Sequence, residues 1–318
     1  MINILRRLKK IHKPAILLAI FLLSYLSAAQ MLLLPYVPNT PNQDLARHVA
    51  LALNFKDAIL SGQVIPRLQL TTVHGIQDIP VFQYYGFLSS LLAQPGLFFN
   101  LSELYSLILG VVIARFIGCL ALLGVCLKLN LGWYSGLISI FAWLFFPYIQ
   151  TNLYGRAAIP EAVAQALLPL IPLAWAIAVG GSSRAAALLT ALIIFLLALA
   201  HPIFLMWGVV TIFLFVFLDF CMGRYYASKS NLMGLIAGLG MSSFQWLPSL
   251  ITKKDFFIPF LELNPSLNAH LTSYSGFYGF PEALPTFVGN NLFFYSGNVA
   301  YTGHLGPHFF LQATQKFI

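Results

Sequence analysis

Long apolar runs separated by short polar gaps make up most of this chain, and one gap breaks that rhythm. Runs at Pro14–Leu34, Leu104–Leu127, Trp133–Ile149, Glu161–Val179, Ala185–Ala200, Ile203–Phe220 and Leu232–Leu250 approach or reach the roughly 20 residues with which a helix crosses a bilayer. They predict seven membrane spans. The exceptional gap, Pro35–Tyr85, gathers three acids, three bases and two histidines that the flanking runs almost exclude.

Within that gap the pattern changes from continuous to periodic. Thr40-Pro41-Asn42-Gln43 carries Thr at N-cap, Pro at N1 and Gln at N3, a capping box. The helix it opens runs to Ser61, with Gly62 as its stop. Leu45, Val49, Leu53 and Leu60 predict an apolar stripe, and Arg47, Asn54, Asp57 and Ser61 the opposite arc. Asp44 and His48, one turn apart, share the edge. Such a helix is expected to lie at the membrane surface.

Val81–Phe99 is apolar but interrupted by Gln83, Tyr84, Tyr85 and the breaker pair Pro95-Gly96. If it crossed, Lys128, Arg184, Arg224 and Lys229 would all end outside. If it is re-entrant or interfacial, all four lie inside with Arg6, Arg7, Lys9, Lys10 and Lys13, as basic flanks prefer. The second topology is the one expected. It makes residues 1–250 a helical membrane domain with a first outer loop over 35–103, and residues 251–318 an extracytoplasmic tail of loop and interfacial structure. Eight of the nine acids then fall on or near the outer face, Asp219 being the exception.

Composition agrees. The chain is 59% hydrophobic and 8% charged, where soluble domains carry about 25% charge. The fold class is therefore all-α, a polytopic membrane helix bundle. The net charge of +8 comes in large part from the N-terminal cluster and does not point to nucleic acid. Ser27-Ala28-Ala29 resembles a signal cleavage site, but the apolar run continues through Met31–Leu34, so the first span reads as an anchor. Cys119, Cys126 and Cys221 show neither metal nor disulfide spacing and read as small buried apolar residues.

Three groups carry candidate chemistry. Asp44 suits a general base, with His48 as its partner or as a ligand for a metal or phosphate. The plainer account is a first-turn acid favoured by the helix dipole beside a surface histidine. Arg156, in Tyr154-Gly155-Arg156, is a planar fork suited to phosphate, and Glu161 opens a span where an acid is costly. The plainer account pairs them with each other. Arg115 lies far from both ends of its span, where it could meet a lipid-linked phosphate or pair with Glu161. Its plainer account is snorkelling to an interface. Tyr84, Tyr85, Trp133, Trp143 and Trp246 read mainly as interface aromatics, His201-Pro202 as a turn, and His304 and His308 as a minor metal candidate.

Asp44-x-x-x-His48, Gly62-x-x-x-Pro66-Arg67, Gly75 and Pro80-Val81-Phe82-x-Tyr84-Tyr85-Gly86 resemble the membrane family labelled 6-pyruvoyl-tetrahydropterin-synthase-related. Leu153-Tyr154-Gly155-Arg156-x-x-x-x-Glu161-Ala162-x-Ala164 with Pro169-Leu170 resembles that family's second block. The resemblance covers roughly residues 14 to 180 well and the rest loosely. No soluble pterin-synthase domain and no His triad for zinc is present in the sequence.

That organisation is similar to C-fold glycosyltransferases, in which a first outer loop carries a catalytic Asp and a polyprenyl-phosphate sugar is the donor. The resemblance implies Asp44 as the catalytic residue, and His48, one turn on, joins it as the candidate partner. It implies Arg156 and Glu161 as donor-binding residues; the candidate set adds Arg67, Tyr84, Tyr85 and Arg115, with no cofactor required and a divalent metal ion as a candidate. The expected partners are the lipid-linked donor and membrane lipid, and the expected location is the plasma (inner) membrane with the N-terminus cytoplasmic. Members of such families usually continue through more spans and often a C-terminal outer domain, so the tail is expected to belong to a truncated form. Two other functions stay open: a lipid- or solute-handling protein without chemistry, and a non-catalytic remnant.

Overall fold

A computed structural model describes residues 13–33, 43–63, 86–155 and 157–248 of the chain. Among these residues there is helix and turn and no strand. In chain order the helices are α1 (Lys13–Ala29, continued by a tighter turn over Gln30–Leu33), α2 (Gln43–Leu60), α3 (Leu88–Phe98), α4 (Glu103–Lys128), α5 (Gly132–Leu144) and α6 (Pro147–Gln150, running on as a π turn over Thr151–Gly155). They continue as α7 (Ile159–Leu167), α8 (Leu170–Val179), α9 (Ser183–Ala200), α10 (Pro202–Cys221) and α11 (Tyr225–Met241).

The seven expected spans resolve differently. Among the described residues, four helical stretches are long and apolar enough to cross a membrane: α4, α7 with α8, α9 and α10. A fifth is the pair α5 and α6, bent by 51°. Pro147 explains the bend. A proline bars helical geometry from the residue before it, and Phe146 is extended at φ −60°, ψ 129°. The apolar part of α1, Pro14–Ala29, is shorter than the first expected span. The last expected span, Leu232–Leu250, is displaced: α11 starts at Tyr225 and stops at Met241. Hydropathy misses its polar first turns, which are helical because Ala227, Ser228, Ser230 and Asn231 pack into the bundle.

Side-chain pairs join the first helix to the long helix α4. Phe21 meets Phe116 edge-on at 6.0 Å, Ser24 bonds Cys119 and Ser27 bonds Arg115. These three pairs hold α1 against the middle of α4. Alternation through α4, α5, α7–α8, α9, α10 and α11 then brings Lys128, Arg184, Arg224 and Lys229 to one end, here the basic end. Glu103, Glu161 and His201 lie at the other, the loop end. Between α1 and α4, α3 has eleven residues, about 16 Å of helix, too short to cross a ~30 Å hydrocarbon layer.

Two loop-end helices pack as a unit. Phe55 of α2 stacks on Phe87 at 5.6 Å, and Gln94 Nε2 of α3 donates to the carbonyl of Ala52 at 3.2 Å. Lys56 Nζ donates to the carbonyl of Leu97 at 3.0 Å, capping the end of α3. Consequently the buried face of α2 is not the predicted stripe. Leu45 is buried, but Leu53 and Leu60 are exposed, whereas Leu51, Ala52, Asn54, Phe55 and Ala58 are buried. The predicted stop is present: Gly62 adopts φ +93°, and its N–H bonds Ile59 while that of Gln63 bonds Ala58, a Schellman ending.

Backbones approach closely where glycine permits. A Cβ on Gly118 would lie 2.1 Å from the carbonyl oxygen of Ala166, so α4 and α7 touch there. Gly234 and Gly238 of α11 do the same against Ala187 and Ala191 of α9, a small-xxx-small contact. Cys119 and Cys126 are buried as expected. Cys221, at the end of α10, is exposed instead, because the helix outlasts its packing partners there.

Candidate functional site

The sequence of α4 is apolar around Arg115, yet the side chain is only 1% exposed. Its Nη1 donates to the hydroxyl of Ser27 at 2.8 Å and also to the Ser27 carbonyl. The hydroxyl of Tyr154 donates to that same carbonyl at 2.5 Å. Ser27 lies in the last turn of α1, where carbonyls have no partner within the helix and carry the negative end of its dipole. The guanidinium therefore neutralises a helix terminus. One turn further along α4, Cys119 Sγ accepts from the hydroxyl of Ser24 at 3.6 Å.

This geometry corrects two expectations. Arg115 does not snorkel, because it is enclosed. Among the described residues it is paired with no carboxylate, so it does not pair with Glu161. Its Nε and Nη2 have no hydrogen-bond partner among the described residues. A buried charge with two unmet N–H directions is costly. The expected position, far from both ends of its helix, holds. Arg115 is central in its helix, but its neighbours are a helix end, Ser27, and an interhelix connection, Tyr154.

The other sequence-predicted residues are distributed as follows. His48 is buried on α2 and has interactions there. Asp44 lies in the first turn of α2, with its side chain outside what is described. Glu161 lies in the first turn of α7, half-buried and partnered. Arg67, Tyr84, Tyr85 and Arg156 lie outside the described residues, as do His304, His308 and the tail. Among the described residues, no group of three or more His, Cys, Asp or Glu is arranged to hold a metal ion. His201 does form the turn, extended at φ −165° before Pro202.

Sequence reasoning missed Ser24, Ser27 and Tyr154 as site members. The signal was available: Ser24-x-x-Ser27 puts two hydroxyls on one face of an apolar helix, and Tyr154 opens the block that contains Arg156. It also missed a buried cluster toward the basic end. The Asp219 side chain is fully enclosed, accepts from Trp175 Nε1 at 3.1 Å and lies 3.8 Å from Arg224 Nη1. Trp175 stacks on Phe215 at 5.2 Å, and the Thr190 hydroxyl donates to Asn231 Oδ1 at 3.2 Å.

The sequence model of a family described as "6-pyruvoyl-tetrahydropterin synthase related domain; membrane protein" matches residues 82–312. The match runs well past residue 180, where the clear resemblance was expected to fade, and it includes Arg115, the Tyr154–Glu161 block and Asp219. Asp44, His48 and Arg67 precede it. No curated protein matches the chain, and no solved structure does.

Proposed function

The chain belongs to the 6-pyruvoyl-tetrahydropterin synthase related family of membrane proteins, and from that premise we propose that it is a C-fold glycosyltransferase of the plasma membrane. It transfers a sugar from a polyprenyl-phosphate donor to an acceptor at the extracytoplasmic face. The observation that carries this reading is Arg115, enclosed beside a helix end with Nε and Nη2 unmet. The donor's tail lies in the bilayer, and its phosphate completes the guanidinium with charge-assisted hydrogen bonds.

In this reading the loop end is extracytoplasmic and the basic end cytoplasmic, as the sorting of Lys128, Arg184, Arg224 and Lys229 favours. Asp44, on the loop-end helix α2, takes the proton of the acceptor hydroxyl, with His48 one turn on. The acceptor oxygen bonds to the anomeric carbon, the bond from that carbon to the phosphate oxygen breaks, and polyprenyl phosphate leaves with the electron pair. Arg67, Arg156, Glu161, Tyr84 and Tyr85 hold donor and sugar from the loop end. A divalent ion could assist at the donor phosphate.

The test is sugar transfer by the purified chain in lipid nanodiscs, supplied with a polyprenyl-phosphate sugar and a hydroxyl acceptor, beside the Asp44→Asn variant. Loss of a general base costs about 10²–10⁴ in rate, so Asp44→Asn should fall by that range while still binding donor. Donor binding with no turnover by the parent would reassign the chain to lipid handling. Absence of donor binding would remove the reading altogether.

A further inference from the structure

The turn after α8 and the turn after α10 lie side by side at the basic end. The Ser230 hydroxyl of α11 donates to the carbonyl of Ser183, which opens α9, and the Ser228 hydroxyl donates to the carbonyl of Val216 on α10 at 2.9 Å. These bonds place Arg184, next to Ser183, and Lys229, next to Ser230, on neighbouring strips of surface, and both side chains are exposed. Arg224 lies in the turn after α10, with its side chain 42% exposed.

The charge there is unbalanced. Among the described residues, the acid at this end is Asp219, which is enclosed and faces Trp175 and Arg224. Among the described residues, the exposed part of this surface is therefore cationic. It is flanked by Tyr225 and Tyr226, 60% and 87% exposed, aromatic side chains of the kind that sit at headgroup level. Depth agrees: α8, α9 and α10 belong to stretches long and apolar enough to cross, so their shared end lies at the level of lipid headgroups.

We propose that Arg184 and Lys229, with Arg224 behind them, form a binding surface for the phosphate headgroup of an anionic phospholipid, which bridges the two turns. Charge complementarity selects the occupant, since a zwitterionic headgroup brings its own cation and a neutral one brings no anion. The surface is distant from the Arg115 site and does not depend on the glycosyltransferase reading.

The experiment measures lipid preference by the purified full chain in nanodiscs of phosphatidylcholine doped with phosphatidylglycerol, using native mass spectrometry of the retained lipids. Each base near a membrane surface favours an anionic lipid about fivefold, so Arg184→Gln with Lys229→Gln should lower the preference by roughly 30-fold, and Arg184→Lys should retain it. Equal retention of both lipids by the parent overturns the proposal. So does a preference that survives the double variant. Should the double variant fail to fold, the parent decides alone: its preference must weaken between 0.1 and about 0.5 M salt, as a screened headgroup contact does, and a salt-independent preference overturns the proposal.

Discussion

Arg115 and Ser27 meet at 2.8 Å, joining the middle of one apolar helix to the last turn of another. Tyr154 reaches the same Ser27 carbonyl from the connection into α7. Three segments far apart in sequence thus converge on one helix end, and a charge that looks stranded in its own helix acquires a local partner. Nε and Nη2 of the guanidinium remain unmet among the described residues.

Replacing Arg115 by Met separates the structural role from the binding role. The Ser27 carbonyl keeps Tyr154, and an apolar side chain of similar length fills the space, a change that is often neutral for a buried charge. Arg115→Met should hold its thermal midpoint within a few degrees. It should bind a polyprenyl-phosphate sugar roughly 10- to 100-fold more weakly, the weight of a charged hydrogen bond or two. A variant that loses its fold, while Tyr154→Phe keeps it, would make Arg115 a structural staple.

Asp219→Ala should destabilise more than Asp219→Asn. Alanine leaves the half-buried Trp175 N–H without an acceptor, which costs about 1–3 kcal/mol. Asparagine keeps an oxygen for Trp175 and loses only the pairing with a partly exposed Arg224, worth about 1 kcal/mol or less. Thermal unfolding in one detergent, followed by tryptophan fluorescence, ranks the two. Equal losses would show that the ion pair rather than the indole bond is what matters.

Gly118→Ala should be the most damaging single methyl group in α4. Its Cβ would stand 2.1 Å from the Ala166 carbonyl oxygen, so the helices must separate, at about 1–3 kcal/mol or more. Gly62→Ala meets open space and is penalised only by its positive φ, about 1–2 kcal/mol. Thermal midpoints and expression yield should both fall further for Gly118→Ala.

Orientation is open to chemistry. In a background with Cys221 replaced by Ser, a cysteine at Ser183 should resist a membrane-impermeant thiol reagent in intact cells, and one at Ser61 should react. Both positions are exposed in the fold, so burial would not mask either. Rapid labelling at Ser183 with none at Ser61 would invert the bundle.

The sequence by itself determined that the chain is helical, where most of its apolar helices lie and which end of the bundle is basic. Apolar runs, the Gly62 stop and the Pro202 start act on the chain within a few residues, and those effects are local enough to read in order. The membrane family was legible too, in the Tyr154–Glu161 block. What only the tertiary structure decided is how each helix is rotated and how far it is shifted along its neighbours. Hydropathy gave α2 a stripe through Leu53 and Leu60, but contact with α3 turned Asn54, Phe55 and Ala58 inward. It set Arg115 at mid-span, but α1 ends beside it. Rotation and offset come from packing between residues some ninety positions apart, such as Ser27 with Arg115, and no short window of sequence holds both partners of such a contact.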